Sequence, residues 1–222
     1  MDEVRLAVGA DDQCTPAVLD AMAEACDRVE RAGSKASLLL RLDGATTGPE
    51  RLPFTSGIHV VNHWERALRR VERLPVPTLA VATGECRGLA AEALLVADLR
   101  LVSPDFTFQL CGDTGGRWPS MAVHRLSRQV AAAAARRLVL FGDVLDAATA
   151  MAVGIVDRIA EDSDAGARVV LDGWRDAPPL DIAMRRSLLL EAFDQSHEDA
   201  LGAHLAACDR ILRRHADLET VR

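Results

Sequence analysis

A single carboxylate, Glu92, interrupts the apolar stretch of residues 89–97, LAAEALLVA, just after a turn that carries Gly84 and Gly88. A carboxyl group buried among apolar side chains has a raised pKa, because burial disfavours its charged form. Such a group can accept or donate a proton near neutral pH, as a general acid or base does. The residues also leave a second interpretation open, in which Glu92 lies on a solvated helix face or forms a structural ion pair with an arginine.

The elements around Glu92 would place backbone donors beside it. Apolar runs at residues 78–82 and 99–102 flank the glycine turn and the apolar helix, a pattern that predicts strand, turn, helix and strand. The first N–H groups of a helix have no helical acceptor, and at this position they could stabilise an oxyanion. The G-x-x-x-G spacing of Gly84 and Gly88 differs from the G-x-G-x-x-G pattern of dinucleotide sites.

Other residues offer weaker candidates for chemistry. Asp113 lies in a glycine-rich segment, CGDTGGRWP, and is either a second acid or a turn residue that binds its own backbone. Cys86 has no readable base beside it, so we expect it to be a packing residue. The six histidines and five cysteines show no metal-ligand or disulfide spacing, so we expect no metal site.

The preceding part of the chain predicts strands and helices in alternation. Strands are expected at residues 4–8 and 36–42, with a helix between them that is capped by Thr15, starts at Pro16 and ends at Gly33. A further helix is expected from about Val61, with an apolar stripe at i, i+4, i+7 and i+10 formed by Trp64, Leu68, Val71 and Leu74. On this helix Glu65 and Arg69 have the i,i+4 spacing of an ion pair.

The pattern changes near residue 160. Before it, helices are expected at residues 121–130, 131–141 and 147–153, followed by a short strand at residues 155–159. After it, three helices without intervening strands are expected at residues 163–176, 180–193 and 198–214. The sequence therefore predicts an α/β core over residues 1–160 and a helical region over residues 161–222.

Composition excludes several classes of function. The 222-residue chain is 49% hydrophobic, and its net charge of −7 argues against nucleic acid as a partner. No apolar run approaches the roughly 20 residues of a membrane helix. The chain begins Met1, Asp2, Glu3, unlike a signal peptide, so we expect a cytoplasmic protein. Because Lys35 is the single lysine, arginine or backbone groups would have to bind any anionic ligand.

Taken together, these motifs resemble the crotonase superfamily of enoyl-CoA hydratases and isomerases. Residues 81–100 resemble, without a gap, the family's strand, glycine-rich turn and C-E-L-A and C-D-I-R runs. Residues 54–59, FTSGIH, resemble its F-x-x-G-A-D element, and Gly116 and Pro119 match its G-x-x-P element. The segment LVLFGDVLDAATAMAVGIVDRI is similar to the family's downstream L-T-G…A…A…G-L-V pattern.

The resemblance implies a fold and a set of site residues. The fold would be a superhelix of stacked β-β-α turns with a C-terminal helical region. The backbone N–H groups of Ile58 and Leu89 would bind the thioester oxygen, and Glu92 would be the first catalytic acid. The family's second catalytic glutamate falls on Gly112 and is therefore absent, unless the neighbouring Asp113 replaces it. Leu89 and Ala90 stand where the family has glycines.

The resemblance also implies ligands and partners. The substrate would be an acyl-CoA or polyketide thioester, with CoA as part of the substrate and no separate cofactor. The narrower similarity is to hydratase-like accessory proteins of 3,5-dihydroxyphenylacetyl-CoA biosynthesis in glycopeptide antibiotic pathways. These proteins work beside a type III polyketide synthase and related crotonase-fold proteins, as homo-oligomers (trimers or hexamers). The alternatives are a non-catalytic scaffold for the synthase and a generic enoyl-CoA hydratase or isomerase.

Overall fold

The computed structural model has the predicted α/β fold and describes residues 2–10, 12–44, 54, 57–110, 120–175 and 179–220. Its strands are β1 (Asp2–Gly9), β2 (Ala36–Asp43), β3 (Thr78–Ala82), β4 (Glu85–Cys86), β5 (Leu99–Val102), β6 (Thr107–Phe108), β7 (Leu145–Asp146) and β8 (Arg158–Ile159). Its helices are α1 (Pro16–Ala32), α2 (Ile58–Glu72), α3 (Gly88–Leu94), α4 (Ala122–Gln129), α5 (Ala132–Arg136), α6 (Ala147–Ala152), α7 (Ser163–Trp174), α8 (Pro179–Ala192) and α9 (His197–Thr220).

These strands form two sheets. The larger sheet has the order β1-β2-β3-β5-β8 and all its pairs are parallel. The smaller sheet has the order β4-β6-β7, with β4 and β6 parallel and β6 and β7 antiparallel. Since β3 leads into β4 and then α3, and β5 leads into β6, the strands from β3 to β6 alternate between the sheets. This alternation is the predicted stacking of β-β-α turns.

The central strands β2 and β3 of the larger sheet are buried on both faces, as the continuous apolar run in β2 predicts. Alternate side chains of a strand point to opposite faces. Leu38, Leu40 and Leu42 accordingly join the main core beneath α1, α2 and α3. Leu39 points the other way and joins a smaller core with residues of β3, β5 and α7, namely Leu79, Val81, Leu101, Ala167, Val170 and Leu171.

Local signals place most helix ends correctly. The Thr15 side chain accepts a hydrogen bond from the backbone N–H of Val18, Pro16 is the first residue of α1, and Gly33 ends it with φ +62°. Helix α2 begins at Ile58, three residues before the predicted start, because Gly57 supplies the turn with φ +93°. After α5 the chain continues as a π-helical turn, Arg137–Phe141, where the sequence predicted one continuous helix.

The helices after β8 pack back onto the core. Helix α7 covers the second face of the larger sheet. On α8, the Arg186 guanidinium donates a hydrogen bond to Asp98 Oδ2 at 2.6 Å, and it also donates to the backbone oxygens of Leu74 and Val76. The division into a core of residues 1–160 and a separate helical region stays a prediction.

The helices give no sign of a membrane span. Within the part of the chain that the structure describes, none combines the length and the apolarity that crossing a bilayer requires.

Gly44 lies where the loops that follow β2 and β3 approach each other closely, so a substitution at Gly44 tests this contact. A Cβ at this position would lie 2.7 Å from the backbone oxygen of Thr83 and 2.9 Å from the backbone nitrogen of Glu85. Backbone atoms cannot move away as a flexible side chain can, so Gly44→Ala should lower the free energy of unfolding by about 1–3 kcal/mol in urea denaturation. The control is Gly202→Ala on α9, where a Cβ meets no atom within 4 Å. There alanine should stabilise the helix by up to about 1 kcal/mol, and equal losses for both variants would contradict the prediction.

Candidate active site

Helix α3 carries two of the predicted site residues and begins at a close contact between chain segments. Gly88 has φ +55°, and a Cβ there would lie 3.1 Å from the backbone oxygen of Ala10. Glycine is therefore required by both its conformation and its neighbour. The rest of the helix is buried from Leu89 to Leu94. The polar side chain among these residues belongs to Glu92, which is 3% exposed.

The Glu92 carboxylate is held by a buried tryptophan. The indole Nε1–H of Trp64 on α2 donates a hydrogen bond to Glu92 Oε2 at 2.6 Å, and Trp64 itself is fully buried. The Ser120 hydroxyl, just before α4, is a second hydrogen-bond partner of the carboxylate. Glu92 is therefore not solvated, and among the residues that the structure describes no arginine forms a direct ion pair with it.

Burial decides the electrostatics of Glu92. Burial raises the pKa of the carboxyl group, while the hydrogen bonds from Ser120 and Trp64 lower it. The nearby charge of Glu65 also raises this pKa, and the charge of Arg125 lowers it. The net direction is upward, which favours a proton acceptor and donor near neutral pH. Cys14 lies close enough for the two groups to interact, since burial and then the charge of Glu92 raise the pKa of its thiol to about 11.

An ion triad fixes the two helices that hold Glu92. Arg125 on α4 is 8% exposed, and its guanidinium binds Glu72 at 2.8 Å and Glu65 at 3.1 Å. Both acids lie on α2, the helix of Trp64, so the predicted local pair of Glu65 with Arg69 is replaced by a pair across helices. The charges of Glu72 and Glu65 raise the pKa of Arg125 against its burial, so the guanidinium stays charged. The triad therefore ties α4 to α2 on either side of the carboxylate.

The two predicted oxyanion donors lie at helix starts. Leu89 is in the first turn of α3, one turn before Glu92, and is fully buried. Ile58 is the first residue of α2, and its side chain is 80% exposed. Both N–H groups belong to the set that has no acceptor inside its own helix. Ile58 precedes Trp64 by six residues, about 9 Å along the helix axis, and the pairing of its N–H with that of Leu89 stays a prediction.

Two further predicted positions, Gly112 and Asp113, lie outside the described residues. Cys86 lies inside them and is buried, and its burial raises the pKa of its thiol well above the ordinary range. This environment fits the predicted packing role.

Sequence reasoning missed three residues of the site: Trp64, Ser120 and Arg125. The apolar stripe of α2 includes Trp64, but this pattern assigns no hydrogen-bond partner to its indole N–H. A buried tryptophan usually needs an acceptor for that group, and Glu92 is the carboxylate in the apolar stretch of α3. This signal was present in the sequence. The contacts of Ser120 and Arg125 had no comparable signal, because they depend on how α4 crosses α2 and α3.

Comparisons with known proteins agree with the fold and with the motifs. Residues 57–218 match the family model described as enoyl-CoA hydratase/isomerase. A protein of Amycolatopsis orientalis named enoyl-CoA-hydratase is 39% identical over 208 residues, which cover 91% of this chain and 92% of that protein.

Solved structures resemble the chain at lower identity. An enoyl-CoA hydratase from Shewanella pealeana has a TM-score of 0.79 at 19% identity, over 95% of this chain and 85% of that chain. A putative enoyl-CoA hydratase from Streptomyces coelicolor A3(2) has a TM-score of 0.71 at 20% identity, over 99% and 89%. At such identities the likeness establishes the fold.

The raised pKa of Glu92 predicts how the stability of the protein changes with pH. Below its ordinary value of 4.5 the carboxyl group is protonated in both the folded and the unfolded chain. Between 4.5 and the raised value, the unfolded chain loses the proton first, so the wild type loses stability as pH rises. Glu92→Gln removes this titration and should therefore gain stability relative to the wild type over that interval, and hold the gain above it. Urea unfolding at a series of pH values measures the difference; a constant difference, or one of opposite sign, would refute the raised pKa.

Proposed function

The chain belongs to the enoyl-CoA hydratase/isomerase family, and we propose that it acts on a CoA thioester by moving a proton at the carbon next to the thioester carbonyl. The proposal is carried by one observation: a buried carboxylate, Glu92, fixed by Trp64 at 2.6 Å and one helical turn from the start of α3. A carboxylate of raised pKa beside free helix N–H groups can remove a proton and stabilise the resulting oxyanion.

In the proposed reaction the thioester oxygen accepts hydrogen bonds from the N–H groups of Leu89 and Ile58. The Glu92 carboxylate removes a proton from the carbon next to the carbonyl, and the electron pair of the broken C–H bond moves into an enolate whose oxygen those donors hold. When the enolate reforms the carbonyl, the C–O bond of a hydroxyl on the next carbon breaks. Glu92 returns its proton to the departing oxygen, so water leaves, a C=C bond remains and the carboxylate is regenerated.

With one acid we favour a reaction that the substrate itself makes downhill. Hydration and dehydration are the two directions of one reaction and use the same groups, but loss of water from a cyclised polyketide gains the stability of an aromatic ring, and the position expected for a second glutamate holds Gly112. We therefore favour loss of water from a cyclised polyketide thioester, which would aromatise the ring. The partner would be a type III polyketide synthase, with 3,5-dihydroxyphenylacetyl-CoA as the product of the joint reaction, in a homo-oligomeric protein of the cytoplasm.

A second candidate function is a non-catalytic scaffold that raises the output of the synthase by contact. It is favoured by the tight enclosure of the site, since Leu89 and Ala90 are both fully buried and stand where the resemblance places glycines. Side chains larger than glycine in this first turn of α3 would leave less room for a thioester. A generic enoyl-CoA hydratase or isomerase is the third candidate, and the missing second acid makes it the weakest.

Ile58 allows the removal of one oxyanion donor without disturbing the helix. Proline is well tolerated as the first helical residue, and the ψ of 169° at Gly57 suits a residue that precedes proline. Ile58→Pro deletes the N–H, so it should lower the rate of α-hydrogen exchange of phenylacetyl-CoA in D2O by ~10²-fold or more. Ile58→Ala keeps the N–H and loses a largely exposed side chain, so it should exchange at nearly the wild-type rate. Equal rates for the two variants would exclude the donor role of Ile58.

Reconstitution with the synthase and malonyl-CoA separates the enzyme from the scaffold. If Glu92 transfers the proton, Glu92→Gln should lower the yield of aromatised product by ~10²-fold or more, while keeping the fold and any binding to the synthase. A variant with wild-type yield and product profile would reject catalysis by Glu92. Absence of both co-purification with the synthase and any effect on its rate would reject the scaffold. Hydration of crotonyl-CoA tests the generic activity, which we expect to be very slow.

A further inference from the structure

We propose that Trp64 is a positioning residue for Glu92, holding Oε2 as the fixed, unprotonated oxygen so that Oε1 exchanges the proton with the substrate. This inference rests on the proposed function, because it assigns the roles of the two carboxylate oxygens in that reaction. Its geometric basis is the 2.6 Å hydrogen bond between Nε1 and Oε2, made between two buried side chains from different helices.

The position of the indole is fixed by the packing of α2. Trp64 is fully buried, and the same helix face buries Val60, Leu68 and Val71 in the main core. On the polar side, Glu65 and Glu72 bind Arg125 and hold the helix against α4. A large planar side chain enclosed in this way has one available rotamer, so its N–H direction is constant.

The chemistry of the indole decides which oxygen carries the proton. An indole N–H donates hydrogen bonds and accepts none. A proton on Oε2 would leave only a weak hydroxyl acceptor for Trp64, whereas a proton on Oε1 leaves Oε2 as the stronger, carbonyl acceptor. The bond from Trp64 can persist whether Glu92 is charged or neutral, so the site needs no rearrangement during proton transfer. The Ser120 hydroxyl differs, because it can both donate and accept and can rotate to follow the state of the carboxyl group.

The charges around Glu92 indicate what the hydrogen bond from Trp64 contributes to its pKa. Glu65 on α2 and Arg125 on α4 act on the carboxylate with opposite signs and are paired with each other, and the charge of Glu92 in turn raises the pKa of the Cys14 thiol. Burial is the largest influence and favours the neutral form. The bond from Trp64 is stronger to a charged acceptor than to a neutral one. Removing it should thus raise the pKa of Glu92 further and leave less carboxylate available at neutral pH.

The test replaces the donor and reads the titration of Glu92 directly. Infrared difference spectra between Trp64→Phe and the double variant Trp64→Phe/Glu92→Gln isolate the carboxyl band of Glu92 when the indole donor is absent. The difference between the wild type and Glu92→Gln gives the reference band. We expect the titration midpoint to lie at higher pH in Trp64→Phe. The acid limb of the α-exchange rate of phenylacetyl-CoA should move in the same direction, with a loss of ~10²-fold at pH 7. The control is Trp174→Phe, since Trp174 packs in the smaller core on the other face of the sheet.

The outcomes separate this inference from the proposed function. A midpoint unmoved by Trp64→Phe would overturn the role of Trp64 whatever the activity. A midpoint that moves in a protein whose wild type shows no α-exchange would support the positioning role and reject the proposed function. If Trp64→Phe fails to fold, benzothienylalanine introduced at position 64 keeps the ring volume and replaces the N–H by sulfur. An unchanged midpoint in that variant would overturn the proposal equally.

Discussion

The buried hydrogen bond from Trp64 to Glu92 is the interaction on which the candidate site depends. A carboxylate inside an apolar core is costly unless it has partners, and the partners of Glu92 come from outside its own helix. Trp64 from α2 and Ser120 from the start of α4 supply them. One carboxylate therefore links three helices, and breaking either contact would leave this buried group with one partner fewer.

Charged residues elsewhere in the core support the same arrangement. Arg100 on β5 is 8% exposed, and its guanidinium donates hydrogen bonds to the backbone oxygens of Leu95 and Ile155 and to the side chain of Gln129 on α4. Arg125 joins α4 to α2. Helix α4 is thus fixed by two buried arginines to the sheet and to α2, which keeps Ser120 beside Glu92.

Three positions depart from the family pattern: Leu89, Ala90 and Gly112. Glycines at the start of α3 would allow a ligand to approach the backbone closely, but this chain has Leu89 and Ala90 there, and both are fully buried. Gly112 stands where a second acid would be expected. These departures are the reason for proposing a specialised role, and not ordinary hydration, for a protein that keeps a buried carboxylate at Glu92.

The sequence by itself determined the fold class, most of the elements and the carboxylate at the centre of the site. Continuous apolar runs, the cap at Thr15 and the glycines at 33, 84 and 88 are local signals, and local signals depend on neighbours that can be read along the chain. The tertiary structure decided what the carboxylate touches. Glu65 pairs with Arg125 and Trp64 with Glu92, across 60 and 28 residues. These contacts depend on how the helices cross and what they bury, and the spacing of residues along the sequence does not predict them. For the same reason Glu92, ambiguous in the sequence, became a buried group with a raised pKa only when the helices packed around it.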